Sequence, residues 1–297
     1  MIFRMTTIGV SILLSSLWLQ LAYAENVSKV IAVDSAVDVA NYFVEIGYVD
    51  LIDNPERLQT VPRTRITRLP EKLSKQWVEN VKLRKSVSLR LGLSATLQAN
   101  EQIMITRNRL LKFSLVNSSP NDRLWLDALS KQYRIFEKEE KITADHLRRL
   151  IKKVDALPPS LMIAQGAIES GWLQSRFARK GQAIFGQWTN SQDGIKALKS
   201  DVKLATFKTP YDSLVAYMLN INSHPAYANL RTERSEMRLA NRPLDGYELA
   251  KHMTVYAETG QIYVDLIRSI IRREKLTLAD TAKLAEDPLV IFKRSDQ

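Results

Sequence analysis

The chain has 297 residues, enough to bury a full core in one or two domains, and its 45% hydrophobic and 25% charged content is that of a soluble globular protein. It has no cysteine, which excludes disulfides, thiolate metal sites, cysteine nucleophiles and lipid attachment at a cysteine; its histidines, His146, His224 and His252, stand at no zinc-ligand spacing, so neither metal nor cofactor is expected. The net charge of +11 favours polyanionic partners, but the Lys and Arg are scattered and carry no nucleic-acid-binding signature, so nucleic acid is not the expected partner.

Residues 1–24 read as a secretory signal. Arg4 supplies the basic start, Ile8 to Leu19 the apolar run, and Ala22-Tyr23-Ala24 the cleavage site. Ser11, Ser15 and Ser16 interrupt the run, which is short for a membrane span; an uncleaved anchor is the competing reading. Either places the rest of the chain in the periplasm or outside the cell. In agreement with export, the chain has no Walker loop, no G-x-G-x-x-G and no G-x-S-x-G. Residues 25–98 read as an N-terminal helical region that names no chemistry. Val33, Val37, Ala40 and Val44 suggest a helix over 30–44, residues 47–70 a linker or exposed loop, and Leu69-Pro70 a second helix with Leu73, Trp77 and Val81. From residue 99 the pattern is plainly helical. Ser119-Pro120-Asn121-Asp122 starts one helix and Thr143 caps the next.

Leu157 to Trp188 is the centre of the chain. Pro158 and Pro159 suit a first helical turn, and the run that follows is apolar nearly all round, which predicts a buried helix ended by Ser170-Gly171. Glu169 falls in its last turn. Burial and the negative end of the helix dipole both disfavour the charged carboxylate, so its pKa is expected to rise toward that of a general acid at neutral pH. Trp172, Phe185, Gly186, Gln187 and Trp188 follow closely, with Ser170, Gln174, Ser175 and Gln182 among them. Flat aromatic faces beside amides and hydroxyls suit a sugar-binding cleft. A solvated glutamate at a helix end is the plainer alternative.

Residues 189–209 are the one stretch expected to lack helix; a short hairpin fits. Residues 210–276 return to helix, with Leu214, Tyr217, Met218 and Ile221 on one face and Asn220 and Asn222 offering amides toward Glu169. Tyr256-Ala257-Glu258-Thr259-Gly260 is a turn before a closing helix with Tyr263, Leu266, Ile267 and Ile270. Residues 277–297 read as a polar, loosely held tail.

Ala167-Ile168-Glu169-Ser170-Gly171-Trp172, Ser175-Arg176-Phe177-Ala178 and Ile184-Phe185-Gly186 resemble the A-x-E-S-G-W-G, S-x-F-A and N-L-F-G motifs of the bacterial endo-β-N-acetylglucosaminidase family, of glycoside hydrolase family 73 type. Gln187-Trp188 after Phe185-Gly186 is similar to its Bax-type branch. Further matches are Tyr217-Met218 with Asn220, Asn222 and His224-Pro225-Ala226-Tyr227, and Tyr256-Ala257-Glu258 with Gly260 and Tyr263-Val264. The resemblance covers about residues 100 to 276 and departs from the family at Leu173 and Ala183, where Gly and Asn are usual. It implies an all-α, lysozyme-like fold with at most a small β-hairpin lobe, two helical lobes around a substrate groove, and a glucosaminidase domain over residues 99–276. It implies a hydrolase of peptidoglycan glycan strands that cleaves β-1,4 bonds after N-acetylglucosamine. Glu169 would be the general acid, Tyr256 would face it across the cleft, and the second acid would come from the β-lobe. Asp193 is preferred there over Asp201, since it lies on a turn just past Gln187-Trp188; Glu258 is a further candidate acid. Substrate contacts would come from Ser170, Trp172, Phe185, Gly186, Gln187, Trp188, Tyr217, Asn222 and Tyr263. Attack by water or by the substrate's own N-acetyl group both stay open. So do two rival activities, a lytic transglycosylase and a non-catalytic wall-binding protein.

Overall fold

The computed structural model describes residues 27–51, 53–54, 60–135, 143–189, 194–196 and 203–295. The chain enters on β1 (Val27–Val33) and turns into α1 (Ala36–Glu45). Ser35 and Asp38 form a reciprocal capping box that starts this helix two residues after the strand ends. Short strands β2 (Thr60–Val61) and β3 (Thr64–Ile66) follow, then α2 (Lys75–Glu79) and the 31-residue α3 (Val81–Leu111). Next come α4 (Pro120–Gln132), α5 (Ala144–Lys153), α6 (Pro159–Ser170) and α7 (Arg176–Gly181). Strands β4 (Trp188–Thr189), β5 (Ile195–Lys196) and β6 (Lys203–Leu204) form a small antiparallel sheet in the order β4-β6-β5. The chain finishes with α8 (Pro210–Ser223), α9 (Ala228–Leu239), α10 (Gly246–Leu249) and α11 (Gln261–Arg273). A 3-10 segment (Leu276–Thr281) then leads to β7 (Lys283–Leu284) and β8 (Leu289–Arg294).

The fold is mostly α, as expected, but its β structure exceeds one hairpin. The C-terminal β8 lies between β1 and β3 and runs parallel to both. Residues 277–297 are therefore not a loose tail. Polar residues there conceal Leu289 and Phe292, both buried; Phe292 meets Tyr42 and Phe43 edge-on at 5.6 Å each. The N-terminal region is likewise not purely helical. β1 occupies the start of the expected helix over 30–44, because a β-branched run with a paired edge is better held as a strand. The expected exposed loop over 47–70 contains β2 and β3 and buries Val61, Thr64 and Leu69. Ser94 Oγ accepts from Thr64 N at 2.9 Å and donates to Pro62 O at 2.7 Å, which clamps this segment to α3.

The expected boundary at residue 98 falls inside α3, whose Leu89, Leu93 and Ala99 join one core with α6, α8 and α11. Helical periodicity is obscure in the first part of α3 because its buried row includes polar residues. Ser86, Arg90, Ser94 and Gln98 follow at four-residue steps, with Arg90 Nη2 donating to Ser86 Oγ at 2.6 Å and Gln98 Nε2 to Ser94 Oγ at 3.0 Å. A smaller second core gathers Leu110, Leu126, Leu129, Tyr133, Ile135, Leu150 and Val154 between the end of α3, α4 and α5.

Candidate active site

Glu169 is positioned by α6, and α6 is held at its start by distant parts of the chain. Pro158 offers no side chain to cap it. Asp280, from the 3-10 segment before β7, takes that place. Its carboxylate accepts from Ser160 N and Ser160 Oγ, both at 2.7 Å, and from Gly246 N at 2.9 Å. An anion at a helix N-terminus is favoured by the dipole. Burial nevertheless pushes Asp280 up to about 6. Gly246 packs so closely that a Cβ on it would lie 2.1 Å from Ser160 Oγ and 2.7 Å from Leu161 N. Asn100 on α3 exchanges two hydrogen bonds with Leu157, at 2.7 and 2.9 Å. Just before it, buried Asp155 gathers Arg107, Arg234 and Arg238 at 3.7, 3.9 and 3.0 Å.

Every residue of α6 from Pro159 to Ala167 is buried, as its apolar sequence requires. The helix ends on Gly171, whose φ of +58° is the left-handed conformation glycine adopts at no cost. Trp172 and Leu173 continue at φ +58° and +65°. Leu173 is the position where the resembled pattern has glycine, and a leucine there is strained by roughly 1–2 kcal/mol.

Glu169 emerges into a nest of tyrosines. The Tyr263 hydroxyl donates to Glu169 Oε1 at 2.8 Å. The Tyr256 ring stacks on Tyr263 with centroids 5.0 Å apart, and its hydroxyl donates to Phe185 O at 2.8 Å. Phe185 stacks on Tyr217 at 4.1 Å, and Tyr217 meets Tyr256 edge-on at 5.7 Å. Gln165 Nε2 donates to the hydroxyls of Tyr217 and Tyr263 at 2.7 and 3.3 Å. Burial pushes Glu169 up to about 7, against the opposing effect of the Tyr263 and Tyr256 hydroxyls, which favour the carboxylate. A carboxyl group at that value can hold its proton at neutral pH and release it to a basic oxygen.

The expected site residues do not all come together. Glu169, Tyr256, Tyr263, Phe185 and Tyr217 come together; Gly186 adjoins them, with its Cβ position 3.9 Å from Glu169 Oε2. Phe185, Tyr217 and Tyr256 are buried and form a wall behind the carboxylate rather than a face for a sugar. A second group is engaged in holding the fold. Ser170 is fully buried; its Oγ donates to Gly166 O at 2.6 Å and accepts from Leu173 N at 2.9 Å. Asn222 is also fully buried. It donates to Asp155 O at 2.9 Å and accepts from Arg234 Nη1 at 2.6 Å, so its amide is committed to the interior and not to substrate. Trp172 turns toward α3, where Lys85 Nζ lies 5.1 Å above its ring. It lines a small apolar cavity of about 90 Å³ with Gly92, Gly166 and Tyr211. Gln187 is buried just before Trp188, which is half-buried in β4. Asp193 and Asp201 lie outside the described residues.

Sequence reasoning missed three residues. Gln165 lies one helical turn before Glu169 on the same face, and its polarity inside an apolar run was an available signal. Tyr227 senses the Glu169 charge, which together with burial drives its hydroxyl pKa up. Asp280 had no sequence signal, since only the fold brings it to α6.

No group of three or more His, Cys, Asp or Glu among the described residues is placed to hold a metal, and no helix among them is long and apolar enough to cross a membrane. Residues 144–276 match the family described as mannosyl-glycoprotein endo-beta-N-acetylglucosaminidase. The chain is 28% identical over 189 residues to Protein bax of Escherichia coli (strain K12), a match that spans 61% of this chain and 66% of that protein. A structural comparison with the catalytic domain of the autolysin Auto from Listeria monocytogenes gives a TM-score of 0.33 at 16% identity, covering 59% of this chain and 96% of that domain. Residues 144–276, which carry the Glu169 motif at one helix end, are thus similar to the glucosaminidase family of glycoside hydrolases, and the likeness to Protein bax points to its Bax-type branch.

Proposed function

We propose that the protein is an exported peptidoglycan hydrolase that cleaves the β-1,4 bond after N-acetylglucosamine, with Glu169 as general acid. The observation that carries this reading is the Glu169 carboxyl at about 7, bonded to Tyr263 at 2.8 Å. It would protonate the leaving oxygen, and Tyr263 would fix the carboxyl's orientation. Tyr256, stacked on Tyr263, would keep that hydroxyl in place. Trp188 in the small sheet would offer a sugar-binding face. Two routes supply the attack. In one, Asp193 activates water and the anomeric configuration inverts; in the other, the substrate's acetamido oxygen attacks and configuration is retained. Export rests on the signal-like residues 1–24.

The test uses purified peptidoglycan with wild type and Glu169→Gln. Soluble products are reduced with borohydride and identified by mass spectrometry. Reduced N-acetylglucosamine ends from wild type alone support the reading. Anhydro-muramyl ends would make the protein a lytic transglycosylase. Binding to the polymer with no product from either protein would make it a wall-binding module.

A further inference from the structure

A cluster of cations surrounds the turn that ends α8, next to Tyr227. The Tyr227 hydroxyl senses the Glu169 charge, and its ring lies 6.2 Å from that of His224, the residue that ends α8. Arg231 Nη1 donates to His224 O at 2.9 Å and to Ile221 O at 2.7 Å. Lys153, at the end of α5, donates from Nζ to Ser223 O at 3.1 Å, Tyr133 O at 2.7 Å and Arg134 O at 3.1 Å. Four basic side chains, Arg134, Lys153, Arg231 and His224, thus surround the Ser223–His224 turn. Among the described residues none of them pairs with a carboxylate. The contrast with Asp155 is direct, since there three arginines share one buried acid.

Among the described residues no carboxylate offsets their mutual repulsion. Burial, then Arg231, Arg149 and Arg134, bring Lys153 down to about 8. Burial and then the charges of Arg134, Arg231 and Lys153 also lower His224. A purely structural role explains part of the cluster. The negative ends of α4 and α8 converge here, and Lys153 and Arg231 satisfy their last carbonyls. Arg134 is not explained that way. Its guanidinium makes no hydrogen bond among the described residues, it is exposed, and it occupies a left-handed position at φ +53° where a helix end ordinarily carries glycine. Among the described residues His224 uses Nδ1 alone, accepting from Ala226 N at 3.2 Å. An exposed arginine and a histidine nitrogen therefore accompany a part-buried lysine and a buried arginine around one turn, with Tyr227 between His224 and the reach of the Glu169 charge.

We propose that Arg134, Lys153, Arg231 and His224 form an anion subsite that receives a carboxylate of the peptide stems carried by the glycan strand. This rests on the hydrolase reading above and deepens it. The enzyme would select glycan whose muramyl residues still bear peptide over bare strands. The net charge of +11 draws the same acidic polymer toward the surface.

The test compares two forms of one wall preparation, intact sacculi and glycan strands stripped of peptide by an amidase. The full chain, Arg134→Glu, and Lys75→Glu on α2 as an equal charge change elsewhere are assayed for reducing-end release and for retention on the immobilised material. Wild type should favour peptide-bearing glycan about tenfold in kcat/KM, the scale of one charge-assisted contact. Arg134→Glu should bring that preference close to one, and Lys75→Glu should leave it in place. Equal treatment of both substrates by wild type overturns the subsite, as does an equal effect of the two substitutions. If no reducing ends appear from either substrate the hydrolase reading falls. Retention then still decides the subsite: equal retention on both materials overturns it, and preferential retention on intact sacculi, lost in Arg134→Glu, supports it.

Discussion

Replacing Glu169 by Gln should stabilise the protein, and the gain should depend on pH. The carboxyl moves from an ordinary 4.5 to about 7 on folding, with burial as the largest cause. The sign follows from linkage. Below about pH 4 the group is neutral in both states and contributes nothing. Between 4.5 and 7 the unfolded chain ionises while the folded one holds its proton, so stability falls as pH rises. Above 7 the full cost is present. At about 1.4 kcal/mol per pH unit this comes to about 3.5 kcal/mol, and partial solvent access at Glu169 reduces it to about 2. Glutamine keeps the shape and still accepts from Tyr263, but it has no charge to bury. Urea unfolding of wild type and Glu169→Gln at pH 4 and pH 8 measures the effect, because every other titrating group cancels between the two proteins. The stability gap should be about 2 kcal/mol wider at pH 8. A gap equal at both pH values would show that Glu169 ionises like a surface glutamate. It would then have no proton to give at neutral pH, and the general-acid argument would fail whatever the product analysis found.

Tyr263→Phe removes a hydrogen bond that favours the charged carboxylate, so the basic limb of the pH–rate profile should move up by about one unit and kcat should fall about tenfold; a downward move would contradict the geometry. Gly246→Ala forces a methyl group against Ser160 Oγ and the Leu161 backbone, and should cost at least about 2 kcal/mol in urea unfolding. Phe292→Ala removes a fully buried ring between Tyr42 and Phe43 and should cost about 3–5 kcal/mol, whereas a loose tail would tolerate the change with no shift in midpoint.

What could be read from the sequence was whatever its local chemistry determines. The Ser119–Asp122 box and the Thr143 cap stand where the pattern put them, because a cap is complete within four residues. The buried helix ending at Gly171 was legible from proline, apolar run and glycine. That the tyrosines gather at Glu169 was legible through the motifs, but the direction of each hydroxyl was not. Tyr263 was expected to touch substrate, yet it holds the carboxylate. Tyr256 was expected across a cleft, yet it is buried and donates to Phe185 O. Ser170 and Asn222 carry the right groups for a sugar, but Ser170 is used up at the helix end and Asn222 by Arg234. The strands were hidden for another reason. β1 finds its partner in residues 289–294, at the opposite end of the chain, and no local pattern announces a pairing that distant.

That distance bears on which part of the chain constitutes the working unit. The family match ends at residue 276 and begins at 144, yet two of the groups that fix the start of the Glu169 helix lie outside it. Asn100 holds Leu157 from α3, and Asp280 supplies the anion at Ser160 from the segment that leads into β8. β8 in turn is held between β1 and β3, so the N-terminal region secures the segment that secures the helix. A fragment of residues 144–276 therefore leaves Ser160 N, Ser160 Oγ and Gly246 N without their common acceptor, at a cost of about 1–3 kcal/mol for each group left buried and unpaired. It also exposes the faces of α6 that pack on α3 and on the 3-10 segment. Such a fragment should lose cooperative unfolding and the near-neutral Glu169 ionisation together, while the chain from residue 27 to 295 keeps both. Circular dichroism melts of the two forms check this, and a fragment that melted like the longer chain would show that the terminal strands only decorate the domain.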